Sequence, residues 1–380
     1  MIKAHKIRLN PTVEQETYFR KAAGTARFAY NWGLMAWKEH KAAHPGEAHG
    51  VLALKKDFNA LKGAQFPWVY DVAKDVAEGA FANLAAALNN YFDSQKGKRK
   101  GKMVGFPRFK SKKNEHQSFR LNNDRIELDG HSFYVPKLGW VNMAEVLRFQ
   151  GKIMGAVVSQ QGSHWYVSIT VEMARPKPQA FEKPVVGVDV GLKTLAVLSD
   201  GKQYENQVLL RSELEHLKSL NRRLARRTMG SSRWREAKGQ LERCHSRIAN
   251  RRADYLHKMT TEIAKTYALV GLEDLNVAGM LQNHHLALSL SDAAFSEIRR
   301  QLEYKCNCYG GRMVLVGRFF PSSRLCGRCG EKHVALKLSE REWVCPACGT
   351  LHQRDANAAR NIELEVQRIL NQTPVVATSG

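Results

Sequence analysis

No stretch of this 380-residue sequence approaches the roughly eighteen consecutive apolar residues that a membrane-crossing helix needs. The opening Met1-Ile-Lys-Ala-His-Lys also lacks the apolar run of a secretion signal. Both absences lead us to expect a soluble, cytoplasmic protein. Acids are scarce: 36 Asp and Glu stand against 59 Lys and Arg, a net charge of +23. That excess goes beyond what solubility needs and points to a polyanionic partner, nucleic acid first. Attachment to a membrane surface would need an apolar helix face beside the lysines, and the basic tracts have none, so no membrane partner is expected. Cysteine is sparse too, and four of the seven fall as two Cys-x-x-Cys pairs late in the chain. In a reducing cell such pairs read as metal ligands rather than disulfides.

Lys3 to Leu9 alternates as a short strand, and Pro11 and Thr12 start a helix with Thr12 and Gln15 at capping-box spacing. Tyr18, Phe28, Tyr30, Trp32, Met35 and Trp37 around Gly24 predict two helices up to about His40, their rings serving as core before base-stacking platforms. Leu52 to Leu61 and Asp71 to Phe92 read as further helices. From Lys96 to Arg120 ten basic residues face one acid, Glu115, with Phe106, Phe109 and Phe119 between them. A solvated lysine loop is one reading. The interleaved aromatics favour a phosphate-contacting loop that uses Lys98, Arg99, Lys100, Arg108, Lys110, Lys112 and Lys113. Ile126 to Met173 alternates in the strand period and, with Lys3 to Leu9, predicts a small β-barrel interrupted by the helices. Pro176 and Pro178 mark a linker.

Val185 to Asp200 then reads as a tight β-hairpin turning at Gly191, Leu192 and Lys193, with an anomaly in its first strand. Asp189 sits among valines, where a carboxylate costs several kcal/mol unless a cation or partner meets it. Alone it reads as an acid that ends a strand. Two later acids change that reading. Ala268 to Leu272 is a short buried-type strand ending in Glu273, and Asp355 lies at the start of a helix. Three acids from a hairpin strand, a strand end and a helix start match the way ribonuclease-H-like folds hold two divalent ions for phosphodiester hydrolysis. Between hairpin and second strand, Arg211 to Ile263 predicts a helical hairpin broken at Gly230-Ser231-Ser232. It carries thirteen Lys or Arg against four acids between Arg211 and Arg252, with Arg222, Arg223, Arg226, Arg227, Arg251 and Arg252 too concentrated to be only a solvated face. Cys326-Gly-Arg-Cys329, fifteen residues, then Cys345-Pro-Ala-Cys348 fits a four-cysteine zinc ribbon, a closed and therefore structural site. Cys244, Cys306 and Cys308 read as buried or incidental thiols, and His284 and His285 as loop residues.

The order Gly-Val-Asp-Val-Gly, Leu-Glu-Asp-Leu-Asn-Val, Leu-Ser-Leu-Ser-Asp-Ala, Leu-Glu-Tyr-Lys, the cysteine pairs and Arg-Asp-Ala-Asn-Ala-Ala-Arg-Asn-Ile resembles the TnpB family. So do Leu9-Asn-Pro-Thr, Gly24-Thr-Ala-Arg-Phe-Ala-Tyr-Asn31 and Gly105-Phe-Pro-Arg-Phe-Lys110, which extends the resemblance over nearly the whole chain. TnpB proteins are transposon-encoded RNA-guided DNA endonucleases related to type V CRISPR effectors. The resemblance implies a multidomain α/β plus β fold: a wedge-type β-barrel over residues 1–10 and 96–178, and a helical recognition lobe over 11–95. It further implies a RuvC-like nuclease domain over 179–318 and 353–380, with the basic hairpin 211–263 inside it, and a zinc ribbon over 319–352. Asp189, Glu273 and Asp355 match the catalytic triad and would hold two magnesium ions, and Cys326, Cys329, Cys345 and Cys348 one zinc. A guide RNA from the transposon end would pair with double-stranded target DNA beside a short adjacent motif, in the nucleoid of a prokaryotic cell. Gln353 departs from the pattern where many members carry an acid. Two other readings are a guided DNA-binding regulator without cleavage, which the three retained acids oppose, and a transposase acting directly on transposon ends.

Overall fold

Alternation at the N-terminus and helical periodicity after it set the first element pair. In a computed structural model that describes residues 1–47, 49–99, 101–112, 117–174, 180–337 and 340–372, the chain divides into two units, Met1–Ala174 and Arg175–Gly380.

The first unit contains β1 (Ile2–Leu9), α1 (Val13–Ala43), α2 (Val51–Gln65), α3 (Lys74–Gln95), β2 (Ser118–Asn122), β3 (Leu128–Asp129), β4 (Ser132–Val135), β5 (Gly139–Asn142), β6 (Lys152–Gln161) and β7 (His164–Glu172). Four strands form an antiparallel sheet in the order β1-β7-β6-β2, and β3-β4-β5 form a second, joined to it by a bridge between Leu9 and Met143. Period two turns Ile7 and Leu9 inward with Phe119, Leu121, Phe133, Val141 and Trp165, so both sheets share one core. Tyr18, Phe19 and Ala22 of α1 close that core. The α1 N-terminus carries the expected capping box: Gln15 N donates to Thr12 Oγ1 at 3.2 Å, and Thr12 N to Gln15 Oε1 at 3.0 Å.

Two helix boundaries differ from the sequence reading. The pair of helices expected around Gly24 is one helix of 31 residues. A single interior glycine costs only about 1 kcal/mol against alanine, and Ala22, Ala23, Ala29, Tyr30 and Leu34 are buried on either side of it. The helix expected from Asp71 starts at Lys74, after a 3-10 turn over Pro67–Asp71.

The second unit contains β8 (Lys183–Val190), β9 (Thr194–Leu198), β10 (Gln203–Glu205), α4 (Leu209–Ser212), α5 (Leu214–Ala225), α6 (Ser232–Thr266), β11 (Tyr267–Glu273), α7 (Val277–Met280), α8 (Ala287–Ala293), α9 (Phe295–Tyr309), β12 (Arg312–Val316), β13 (Glu342–Val344), β14 (Leu351–Gln353) and α10 (Arg354–Gln372). Its sheet runs β10-β9-β8-β11-β12, antiparallel through the hairpin and parallel from β8 across β11 to β12. One face packs on Leu256, Met259 and Ile263 of α6 and Ile298, Leu302 and Cys306 of α9. Ile362 and Val366 of α10 pack on Val314, Val316 and Val185 from the other face. Buried Lys305 ties α9 to α6, donating to His257 O at 2.8 Å, Thr260 Oγ1 at 2.7 Å and Thr261 Oγ1 at 2.8 Å. Leu217 and Leu220 of α5 meet Cys244 and Ile248 of α6, which forms the basic hairpin. Among the described residues no helix is long and apolar enough to cross a membrane.

Candidate functional site

The sheet's period decides where its acids point. Val186, Val188, Val270 and Leu272 face α6 and α9, so the alternate residues Gly187, Asp189, Gly271 and Glu273 face α10. Gly187 pairs with Gly271 in the parallel register, and continuing that register sets Asp189 beside Glu273. The two glycines let α10 come close. A Cβ on Gly187 would lie 2.0 Å from Ala359 O, and one on Gly271 2.6 Å from Val366 Cγ2. That approach presents the first turn of α10, with Asp355, at the carboxyl ends of β8 and β11, where open α/β sheets commonly bind ligands.

Asp189, Glu273 and Asp355 line one cleft of about 830 Å³, together with Arg318, Phe319, Ser322, Arg324, Lys332, Arg341 and Arg354. A second cleft of about 580 Å³ adjoins it and shares Lys193, Thr194, Arg341, Arg354 and Asp355. Burial pushes the Asp189 carboxyl up to about 7, and the nearby Glu273 and Asp355 charges push the same way, against a smaller downward pull from Arg354 and Arg341. Ser322 Oγ donates to Glu273 Oε1. Arg341 Nη1 donates to both oxygens of Asp355, at 3.1 and 3.4 Å. Buried Arg354 donates to Lys337 O at 3.1 Å and to Ser323 Oγ at 3.4 Å. Asp274, next to Glu273, is fully engaged: Arg299 at 2.6 Å and Arg318 at 2.9 Å hold its carboxyl below the usual range. Three crowded carboxylates, one of them resisting ionisation, are a donor set that suits a hard divalent cation such as magnesium.

The four paired cysteines meet in one cluster, all Sγ atoms within 4.8 Å of one another. Cys326 lies 3.6 Å from Cys348, and Cys329 3.6 Å from Cys345. Cys348, 3.2 Å from the Thr350 hydroxyl, is pulled down to about 6 by that contact first. Four thiolates in tetrahedral reach are the donor set of a structural zinc site. Leu336 and Trp343 pack beneath it. A second grouping, Glu213, His216 and Cys244, differs in kind, because Glu213 gives both oxygens to Arg247 at 3.0 Å.

The basic residues singled out above lie in both units. Lys98, Arg99, Arg108 and Lys112 are exposed. Lys110 sits over the Tyr30 ring at 4.5 Å and is pinned to α1 by two backbone hydrogen bonds with Asn31. Lys100 and Lys113 lie outside the described residues. Arg222, Arg223, Arg226 and Arg227 are exposed at the end of α5 and beyond it, with Arg223 donating to Gln240 at 3.1 Å. Arg252 is not a free cation: it pairs with buried Asp292 at 3.3 Å, which also accepts from Leu210 N. Of the leftover groups, Cys244 and Cys306 are buried, Cys308 is half-buried, and His284 and His285 are exposed in a turn.

Sequence reasoning missed Ser322, Arg341 and Arg354 around the carboxylates, and His352, whose Nε2 lies 3.0 Å from Cys326 Sγ. Arg354 could have been noticed as the neighbour of Asp355. Ser322 and Arg341 carry no local signal, because their partners stand 49 and 14 residues away on other elements.

Three family profiles match the chain: one described as "Probable transposase" over residues 168–284, "Cas12f1-like, TNB domain" over 295–362, and "Helix-turn-helix domain" over 1–44. The last description does not fit its segment, which is one strand and one unbroken helix. A relative from Escherichia coli (strain K12), named "Putative RNA-guided DNA endonuclease InsQ", is 32% identical over 380 residues, 95% of this chain and 91% of that protein. Another, from Streptomyces pristinaespiralis and named "Putative RNA-guided DNA endonuclease", is 31% identical over 371 residues, 95% of this chain and 88% of its own. Among solved structures, the "Cryo-EM structure of the Cas12f1-sgRNA-target DNA complex" aligns with TM-score 0.55 at 14% identity, over 96% of this chain and 98% of that one, a likeness of fold.

Proposed function

We propose, since the chain belongs to the TnpB family of transposon-encoded RNA-guided DNA endonucleases, that its cleft hydrolyses DNA phosphodiesters at Asp189, Glu273 and Asp355. The observation that carries this reading is the convergence of three carboxylates from β8, β11 and α10 in one open cleft, with Asp189 pushed to about 7. Two magnesium ions held there would activate water and neutralise the leaving oxygen. The chain's own groups prepare the site. Ser322 orients Glu273, and Arg341 neutralises Asp355 until a cation replaces it.

In this reading the sheet β10-β9-β8-β11-β12 with α10 is the core of a RuvC-type, ribonuclease-H-like nuclease domain, and residues 319–352 are a zinc ribbon held by Cys326, Cys329, Cys345 and Cys348. The two sheets of the first unit serve as the wedge-type barrel, and α1 to α3 as the recognition lobe. A guide RNA pairs with one strand of the target, so the protein needs to read only a short adjacent motif and the backbone of the duplex. The exposed tracts around Lys98, Arg99, Arg108, Lys110 and Lys112, and around Arg222, Arg223, Arg226 and Arg227, contact phosphates.

Glu273→Ala should abolish cleavage in magnesium while guided DNA binding survives. Cleavage at near wild-type rate would refute the assignment. The printed description "Probable transposase" keeps one other reading in view, a protein that acts on transposon ends without a guide. RNase treatment of the purified ribonucleoprotein separates the two: guided cleavage is lost and end binding is not.

A further inference from the structure

Phe319 is 93% exposed, the most exposed large apolar side chain among the described residues. It does not hang on a loose loop. On one side of it Arg318 donates to Asp274 O at 3.2 Å and to Asp274 Oδ2 at 2.9 Å. On the other, Phe320 packs against the core beneath α10 and Ser322 donates to Glu273. Asn361 of α10 then holds Ser322 O at 2.7 Å. The segment is therefore anchored to Glu273, to its neighbour Asp274 and to the helix that carries Asp355, while the Phe319 ring itself is left outside. That ring lines the same cleft as the three carboxylates, beside Leu286, Arg324 and Lys332.

We propose that Phe319 is the floor of a nucleobase subsite: one unpaired base of the DNA strand stacks on its ring and so sets the neighbouring phosphate over the carboxylates. This rests on the reading of the cleft as a DNA-cleaving centre and adds what it binds next to the scissile bond. An aromatic face accepts every base, so the subsite is tolerant of sequence, as cleavage at a guide-directed position requires. Arg324 and Lys332 supply positive charge for the flanking phosphates. A base held in a duplex has its faces covered by its neighbours, so the subsite selects a strand that is already unpaired. Phe319 is a positioning residue. It touches the base and leaves the chemistry to the acids.

The test pairs residue with base in the ribonucleoprotein bound to its target. Single abasic sites are scanned through the nucleotides around the cut, with wild-type protein and with Phe319→Ala. At one position the abasic site should slow wild-type cleavage by about 5- to 150-fold, the range expected for loss of one stacked base. Phe319→Ala on intact DNA should slow it by a similar factor, the two together should be no worse than either alone, and Phe319→Tyr should restore the rate. A second readout does not use activity: 5-iodouracil scanned through the same positions, with calcium replacing magnesium, should crosslink to residue 319 in the wild type and not in Phe319→Ala. Multiplying rather than overlapping effects, an unchanged rate in Phe319→Ala, or crosslinks only elsewhere would each overturn the proposal. If Glu273→Ala still cut while the crosslink mapped to Phe319, the assignment of the acids would fail and the base subsite would stand.

Discussion

Replacing Asp189 by asparagine should make the magnesium-free protein more stable even as it ends cleavage. In the folded chain this carboxyl sits near 7, against 3.8 when freely solvated. The folded state therefore binds its proton more tightly than the unfolded state does, and stability falls as pH rises from 3.8 towards 7. At pH 8 the ionised group costs roughly 3 times 1.36 kcal/mol, at most about 4 kcal/mol. At pH 5 the folded chain carries the proton, and the cost shrinks to roughly 2 kcal/mol. Asparagine keeps the shape and cannot ionise. At about 2–4 °C per kcal/mol for a unit of this size, the variant's unfolding midpoint should exceed the wild type's by on the order of 10 °C at pH 8, and by about half that at pH 5. Scanning calorimetry in magnesium-free buffer reads this directly. No chelator is added, so that the zinc proposed for the cysteine cluster is left in place. Added magnesium should then raise the wild-type midpoint and move the variant's far less, because only the wild type offers the full acidic set to the cation. Equal midpoints at pH 8, or a gap that fails to narrow at pH 5, would refute the claim that a charge buried at Asp189 and crowded by Glu273 and Asp355 is what a cation relieves.

The remaining predictions concern the zinc cluster and the basic helix. One zinc should be found per chain by elemental analysis of protein purified without chelator, and Cys345→Ser should lose it and expose residues 319–352 to proteolysis, since closed thiolate sites supply folding free energy to small ribbons. Substituting Arg222, Arg223, Arg226 and Arg227 together with alanine should weaken RNA or DNA binding about equally for all sequences. It should also flatten the salt dependence by up to roughly 0.9 in log–log slope for each duplex phosphate that is no longer neutralised, with the adjacent-motif preference unchanged. A salt titration beside a screen of randomised motifs checks both, and an unchanged slope would mean these arginines only solvate the helix.

The hairpin at Asp189, the strand ending in Glu273 and the helix opening at Asp355 were legible because each is written in local periodicity and turn residues. The cysteine pairs were legible because a tetrahedral site fixes its own spacing. What brings the three acids together was not. Gly187 and Gly271 read as ordinary strand residues, and their purpose emerges only when α10, far along the chain, lies across them. Ser322 and Arg341 belong to the same class, since each serves an acid supplied by a different element. The long α1 was misread as two helices because a glycine weighs more in a local pattern than in a packed helix. Arg252 looked like part of a phosphate-binding face until Asp292, on α8, claimed it.

The order in which the acids enter the chain has a consequence for the cell that makes this nuclease. The first two belong to adjacent strands, but the third rides on the last described helix and reaches them only when that helix settles over Gly187 and Gly271. On the proposed reading, a copy that has lost α10 to a nick or a frameshift lacks the third carboxylate of the cleft and should not cut. Cleavage is thus tied, on that reading, to the folding of the whole second unit, because the acids on the sheet are complete only with the helix packed over Gly187 and Gly271.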